Sequence, residues 1–339
     1  MDSNDEAVRP AGGASILGYV VAGLALIWVF HDVHPGAALR SVASLDPLLL
    51  AAAIAVDILS YVCQGFRWTL LLHRRISVLR ATQAIYSGLF LNEVFPMRVG
   101  ELVRGYIVSR WLATDFTSIL PSIVVERTFD AVWLAIGIGL TALFVPVPRN
   151  LLMVGDILGV TVLAATAALF YVVFHKRDKA ATRRNRGRIG TFIETFVLGT
   201  RLIGRSRLFY AAFILSSAYL TTQILSFWLV MRAYGLDLNI WAGAATLLII
   251  HVGTAIPNAP ANVGTYQFFC VLGLTLFGID KSSAAGFSVV VFIALTIPLW
   301  IVGFLGLSRS GMTTRNIGRH IRRLADQQDR PDRGRSSGL

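Results

Sequence analysis

The sequence predicts an all-α integral membrane protein built from two inverted repeats, each of three spans plus one re-entrant hairpin. Three observations carry that prediction. Of the 339 residues, 55% are hydrophobic and 15% charged, and mean hydropathy is +0.64; several apolar runs approach or exceed the ~20 residues that a spanning helix needs. The net charge of +12 is concentrated, not spread, in the stretch 176–207 and after Ser308, which fits membrane topology and excludes nucleic-acid binding as the natural reading. And the word P-x-x-V-G occurs twice, at Pro96–Gly100 and Pro260–Gly264, each time between apolar stretches too short to cross a bilayer comfortably.

Residues 1–13 form a cytoplasmic tail. They hold Asp2, Asp5 and Glu6 against Arg9, where a signal peptide would be basic, so the apolar run 14–30 is expected to stay as the first span. A second span covers 46–66. The short loop after 64, with Arg67, Arg74, Arg75 and Arg80, falls on the cytoplasmic side. Residues 82–113 form the first hairpin and 118–147 the third span, closing a first repeat at 14–147. The second repeat, 148–308, opens with a span at 151–175. The basic loop 176–207 follows, and within it 189–204 places Ile189, Phe192, Ile193, Phe196, Val197 and Ile203 at helical spacing, the pattern of an interfacial helix on the cytoplasmic leaflet. A span at 208–232, a second hairpin at 240–279 and a span at 284–307 complete the body. The tail 309–339 is polar and Arg-rich and reads as disordered, cytoplasmic and attracted to anionic headgroups.

That gives six full spans and two hairpins, or eight spans if the second hairpin crosses fully. Three spans per unit is an odd number, so the second unit is inverted, and both termini are cytoplasmic. Charge bias does not separate the two counts, because parity is the same in both.

The charges at membrane depth are the candidate site. The first hairpin contains Asn92, Glu93, Pro96, Arg98, Gly100, Glu101 and Arg104. Arg98, Glu101 and Arg104 recur every third residue and share one side of a helix. A charge at bilayer depth costs roughly 2.5–3.5 kcal/mol on insertion scales, so the three face the bundle interior. Pro96 ends the first half-helix and the second starts near Val99, with its amides toward the break, an arrangement that favours anions. Arg98 beside it is placed to fork onto a phosphate. Glu126, Arg127 and Asp130 open the next span; two carboxylates at i, i+4 call for a cation between them, and Arg104 or Arg127 is the candidate. A purely structural reading, in which the charges neutralise one another and hold the hairpin, competes with the binding reading. Asp57 and Gln64 share a face two turns apart and line the same interior. The second hairpin is uncharged around Pro260 and Gly264; Asn258, Asn262 and Gln267 offer amides suited to hydroxyls, with His251 before them and Gln223 in the preceding span. No P-loop, HExxH, GxSxG or CxxC occurs. Cys63 and Cys270 lie in apolar segments and read as buried thiols. No cofactor or metal is expected.

Together, P-x-R-x-G-E-x-x-R within Asn92–Gly105, the Glu126-Arg127-x-x-Asp130 that follows, and the late P-x-N-x-G resemble the lysylphosphatidylglycerol synthase transmembrane family over about 14–308. The family shows a glycine-richer P-G-G-x-G followed by a carboxylate in the second motif; here Asn262 and Gln267 stand in that neighbourhood. The resemblance implies a stand-alone flippase-like region that moves a lipid between leaflets of a bacterial cytoplasmic membrane, and no synthase activity. Its partners would be membrane lipids with anionic or phosphate-bearing headgroups. The competing readings are a non-transporting accessory subunit of a lipid- or glycolipid-modifying enzyme, and, less favoured, a transferase with Glu101 or Asp130 as base.

Overall fold

The computed structural model describes residues 14–31, 45–95, 99–145, 188–255 and 259–310, together with part of 153–171. These residues are overwhelmingly α-helical and hold no strand. The helices are α1 (Ala14–Phe30), α2 (Pro47–Leu71), α3 (Val78–Val94), α4 (Gly100–Trp111), α5 (Phe116–Phe144), α6 (Arg188–Gly204), α7 (Arg207–Ala233), α8 (Ile240–Gly253), α9 (Thr265–Thr275) and α10 (Lys281–Ser308), with a 3₁₀ turn at Pro260–Asn262 between α8 and α9. The tails 1–13 and 311–339 and most of the basic loop lie outside the described residues, as do Pro96, Arg98 and Asn258.

Helix starts follow local chemistry. Asp46 accepts hydrogen bonds from the amides of Leu48 and Leu49 with Pro47 at the first helical position, Ser77 caps α3, Ser206 caps α7, Asn239 caps α8 and Asp280 caps α10; each side chain satisfies an amide that the helix leaves open. Three helices, α2, α7 and α10, are long and apolar enough to cross a membrane. α5 is longer, at 29 residues, but carries Glu126, Arg127 and Asp130.

The polarity is inverted relative to a water-soluble fold. Arg67 and Glu126 are fully buried, whereas Leu143, Ile214 and Leu202 are 77%, 67% and 67% exposed. Apolar surface on this scale, with charges inside, marks a protein solvated by lipid. The chain is a multi-pass membrane protein.

α2 and α7 form the most extensive helix pair and run antiparallel. The amide of Asp46 donates to the Ala233 carbonyl at 3.0 Å, Ser226 Oγ to the Ala53 carbonyl at 2.9 Å and Arg67 Nη1 to Ser216 Oγ at 3.0 Å. α3 lies against α2 on one side and α10 on the other. Small residues set these approaches: Gly303 faces the Tyr86 backbone, and Gln83 Nε2 donates to the Gly306 carbonyl at 2.9 Å. Two apolar cores result. One gathers Trp68, Ile85, Leu91, Ile107 and Phe129; the other gathers Phe227, Met231, Leu274 and Phe287.

α6 covers the stretch expected to form an amphipathic helix. It packs on α5 where Gly199 meets the Pro121 ring, and it leaves Leu198 and Leu202 exposed.

Candidate functional site

Six charges meet where α2, α4 and α5 converge. Glu126 is the hub. It accepts from Gln64 Nε2 at 2.7 Å and Arg67 Nη2 at 2.7 Å, and lies 3.0 Å from Arg104 Nη1. Arg67 also pairs with Asp130. Arg104 Nη2 sits 2.6 Å from Glu101, and Arg127 bridges Glu101 and Asp130 at 2.9 Å each. The centre of the cluster, Arg67, Arg104 and Glu126, is 0–2% exposed; Glu101, Asp130 and Arg127 form a rim at 27%, 20% and 42%. Aromatic faces complete the arginines' surroundings. Arg104 stacks over Trp68 at 4.7 Å and Arg67 over Tyr219 at 5.2 Å, contacts that favour a desolvated guanidinium; Ser122 accepts from the Trp68 indole at 3.0 Å. Three arginines face three carboxylates, so the cluster is neutral.

Arg67 is a correction to the loop expected after residue 64. α2 continues to Leu71, and Arg67 is fully buried inside it. Its basic charge counts toward a cytoplasmic loop only if the helix ends at 66. The helix continues because Glu126 and Asp130 neutralise the guanidinium, removing the reason for the chain to leave the bundle. The signal was present in the spacing: Gln64 and Arg67 are three apart and share a helix face.

The two P-x-x-V-G words end in glycines whose amides are capped in the same way. Asn92 Oδ1 accepts from the Gly100 amide and Gln267 Oε1 from the Gly264 amide, both at 2.7 Å. Asn92 and Gln267, candidates for headgroup contact, thus give their amide oxygens to the breaks. Both glycines are required by close approach. A Cβ at Gly100 would collide with the Gly88 carbonyl, and one at Gly264, where φ is +85°, with the Ala22 carbonyl of α1. Ala261 and Asn262 are both left-handed, at φ 57° and 53°, a conformation that costs a non-glycine residue roughly 1–2 kcal/mol. The 3₁₀ turn carrying them rests on α3. The second break thus packs against the helix that leads into the first. Glu93 is half-buried and acts electrostatically on Tyr61.

Asp57 stands apart from the six-charge cluster. It is 6% exposed, ten residues before Arg67 on the same helix and thus ~15 Å away. The hydroxyls of Tyr61 on its own helix, Tyr86 on α3 and Tyr266 on α9 are within its electrostatic reach. Its carboxyl has no ion-pair partner among the described residues. Sequence reading placed Asp57 beside Gln64 but missed the tyrosines, which come from three different helices.

No group of three or more His, Cys, Asp or Glu among the described residues is placed to hold a metal ion. The fold and the cluster define a helical membrane protein with paired charges inside and a buried polar face on α2. The chain belongs to the lysylphosphatidylglycerol synthase TM region family, which it matches over residues 15–303. It is similar to a UPF0104 membrane protein of Methanothermobacter thermautotrophicus, 25% identical over 308 residues, covering 83% of this chain and 87% of that protein. It is also similar to a protein named Glycosyltransferase AglD from Haloferax volcanii, 23% identical over 332 residues that cover 86% of this chain. The chain spans about half, 53%, of that relative's length.

Proposed function

We propose that this protein moves a lipid with a polar headgroup between the leaflets of a cytoplasmic membrane, with both termini on the cytoplasmic side. The observation that carries the reading is the contact between the two broken elements beside a buried polar interior. Each break is flanked by half-length helices. α3, α4, α8 and α9 have 17, 12, 14 and 11 residues, or ~25, ~18, ~21 and ~17 Å at ~1.5 Å per residue, short of the ~30 Å hydrocarbon core. That supports two re-entrant hairpins and six spans.

The packing supports an internal two-fold repeat. α3 packs on α2 as α8 packs on α7; α3 meets α10 as α8 meets α5; α4 meets α5 as α9 meets α10; and α2 and α7 pack on each other. The antiparallel run of α2 and α7 fits an axis in the membrane plane, so the halves 14–147 and 148–308 have opposed topology. Opposed hairpins give a site that can open to either face.

In this reading the neutral cluster is a positioning device. Arg104 is committed to Glu101 and Glu126, which leaves Arg98, two residues ahead of α4, to read an anionic or phosphate-bearing headgroup. Asn258 and Asn262 at the second break supply neutral hydrogen bonds. The experiment is leaflet-resolved transfer of lipids with several headgroups in proteoliposomes, comparing wild type with Arg98→Ala. Transfer that depends on Arg98 in folded protein supports the reading; equal transfer by both sinks the headgroup assignment.

A second reading has one observation in its favour: about half of a protein named as a glycosyltransferase matches this chain. An accessory subunit of a glycolipid-modifying system would show no transfer by purified protein and would depend on its outer surfaces, not on Arg98.

A further inference from the structure

Asp57 is the buried charge that the charge-paired interior leaves unexplained. It sits ten residues into α2, ~15 Å from the helix start, half the ~30 Å hydrocarbon thickness. Ala53, one turn before it, belongs to one apolar core, and Tyr61, one turn after it, packs against the other. The carboxyl therefore lies at the seam between two cores, within electrostatic reach of Tyr86 on α3 and Tyr266 on α9.

Among the described residues the groups facing it from each neighbour are few. α3 gives Tyr86 and, beyond Tyr61, Glu93; α7 gives Tyr219, also beyond Tyr61; α9 gives Tyr266. The charges that α5 brings to α2, Glu126, Arg127 and Asp130, are tied into the cluster around Arg67, ~15 Å along α2. The charged residue of α10, Lys281, lies at the start of that helix over the Trp28 ring and beside His31. No cation among the described residues balances Asp57. A buried carboxylate without a counter-charge is expensive, and adding a proton removes the charge at once. Metal or sodium chemistry is a poor match, because a hard cation wants several oxygen ligands and a single carboxylate among phenols does not supply them.

We infer that Asp57 is a proton-binding site at the junction of the two hairpins, and that its loading and release couple lipid transfer to a proton gradient. The inference rests on the translocator reading for its second half only. In the arrangement with the seam closed, Asp57 carries the proton. When one hairpin moves and admits water, the O–H bond breaks, the proton passes to water on that side, and the carboxylate accepts from phenol hydroxyls. The Tyr86 hydroxyl is buried without a hydrogen-bond partner, so its donor is uncommitted. Re-protonation from water on the other side restores the neutral acid. Proton and charge balance with no other reactant.

The test separates the two halves. Infrared difference spectra of the full chain in nanodiscs at neutral pH should show a protonated-carboxyl band that is absent in Asp57→Asn, an isosteric mimic of the neutral acid. Asp57→Glu, which keeps the titratable group, should restore a band at a shifted position, and this variant keeps the test decisive if Asp57→Asn misfolds. A wild-type spectrum with no such band overturns the site, whatever transport does. In proteoliposomes, an imposed pH gradient should speed lipid transfer several-fold in wild type and have no effect in Asp57→Asn. An identical gradient response in both, or a requirement for sodium in place of the pH gradient, overturns the coupling. Absence of transfer by wild type under every condition counts against the translocator reading, while the infrared band still decides the proton site.

Discussion

Removing the hub charge tests how the interior is held together. Glu126→Gln keeps side-chain shape and the acceptor for Gln64, but deletes the negative charge shared by Arg67 and Arg104. The cluster then has three cations and two anions, all still enclosed. Breaking a buried pair by losing one partner costs roughly 3–5 kcal/mol. The low end applies, about 3 kcal/mol, because each arginine keeps one carboxylate: Arg67 keeps Asp130 and Arg104 keeps Glu101. The double variant Glu126→Gln/Arg104→Gln returns the cluster to two cations and two anions. It should be less destabilised than the sum of the single variants, with a coupling of about 1–3 kcal/mol. Equilibrium unfolding in mixed micelles, followed by circular dichroism, measures all four corners of the cycle. If Glu126→Gln unfolds within about 0.5 kcal/mol of wild type, or if the two substitutions simply add, charge balance is not what the cluster supplies.

Three further outcomes follow from the fold. Gly100→Ala should lower the thermal midpoint in detergent well below that of Gly139→Ala, since the first Cβ meets the Gly88 carbonyl and the second meets nothing within 4 Å; equal midpoints would refute the close crossing of α3 and α4. Gln267→Leu leaves the buried Gly264 amide unsatisfied and should cost about 1–3 kcal/mol, read by the same unfolding assay, with a null effect arguing against the cap. Asp280 caps α10 through the Ser283 amide at 2.9 Å, so Asp280→Ala should cost about 1 kcal/mol at neutral pH. The Ser283 hydrogen bonds hold the Asp280 carboxyl below its ordinary value of 3.8. A depressed folded-state pKa means that the charge-dependent stabilisation is complete above that value and lost as pH falls through the folded one, so wild type and variant should converge in acid; a gap that persists there refutes the charged cap.

Much of the helical body was legible because lipid imposes a simple rule on apolar run length. The helices at 14–30, 207–233 and 281–308 fall within a few residues of the expected spans, and the amphipathic pattern at 189–204 matches α6. The cluster was half legible. Glu101, Arg104, Glu126, Arg127 and Asp130 come together as their spacing implied, because intramembrane charges have to find partners. Arg67 was not legible, since the same charge serves either as a topological signal or as a buried ligand, and only the position of the acids on α5 decides between them. Asn92 and Gln267 were recognised as polar groups at the breaks. Their capping of Gly100 and Gly264 depends on where the chain turns, which the word P-x-x-V-G does not state. The tyrosines around Asp57 come from α2, α3 and α9, and no local pattern links residues so far apart in sequence.

The equality of charges in the cluster has an electrical consequence. A rigid group with three positive and three negative charges that shifts without turning does no net work against a uniform transmembrane field. A lone ionised carboxylate near the midplane does feel it, at about 2.3 kcal/mol per elementary charge per 100 mV across the full field. Apart from any charge on the carried headgroup, the voltage sensitivity of these two buried sites would then rest on Asp57 and fall away when that residue is neutral, so that membrane potential and proton occupancy would act through one carboxyl.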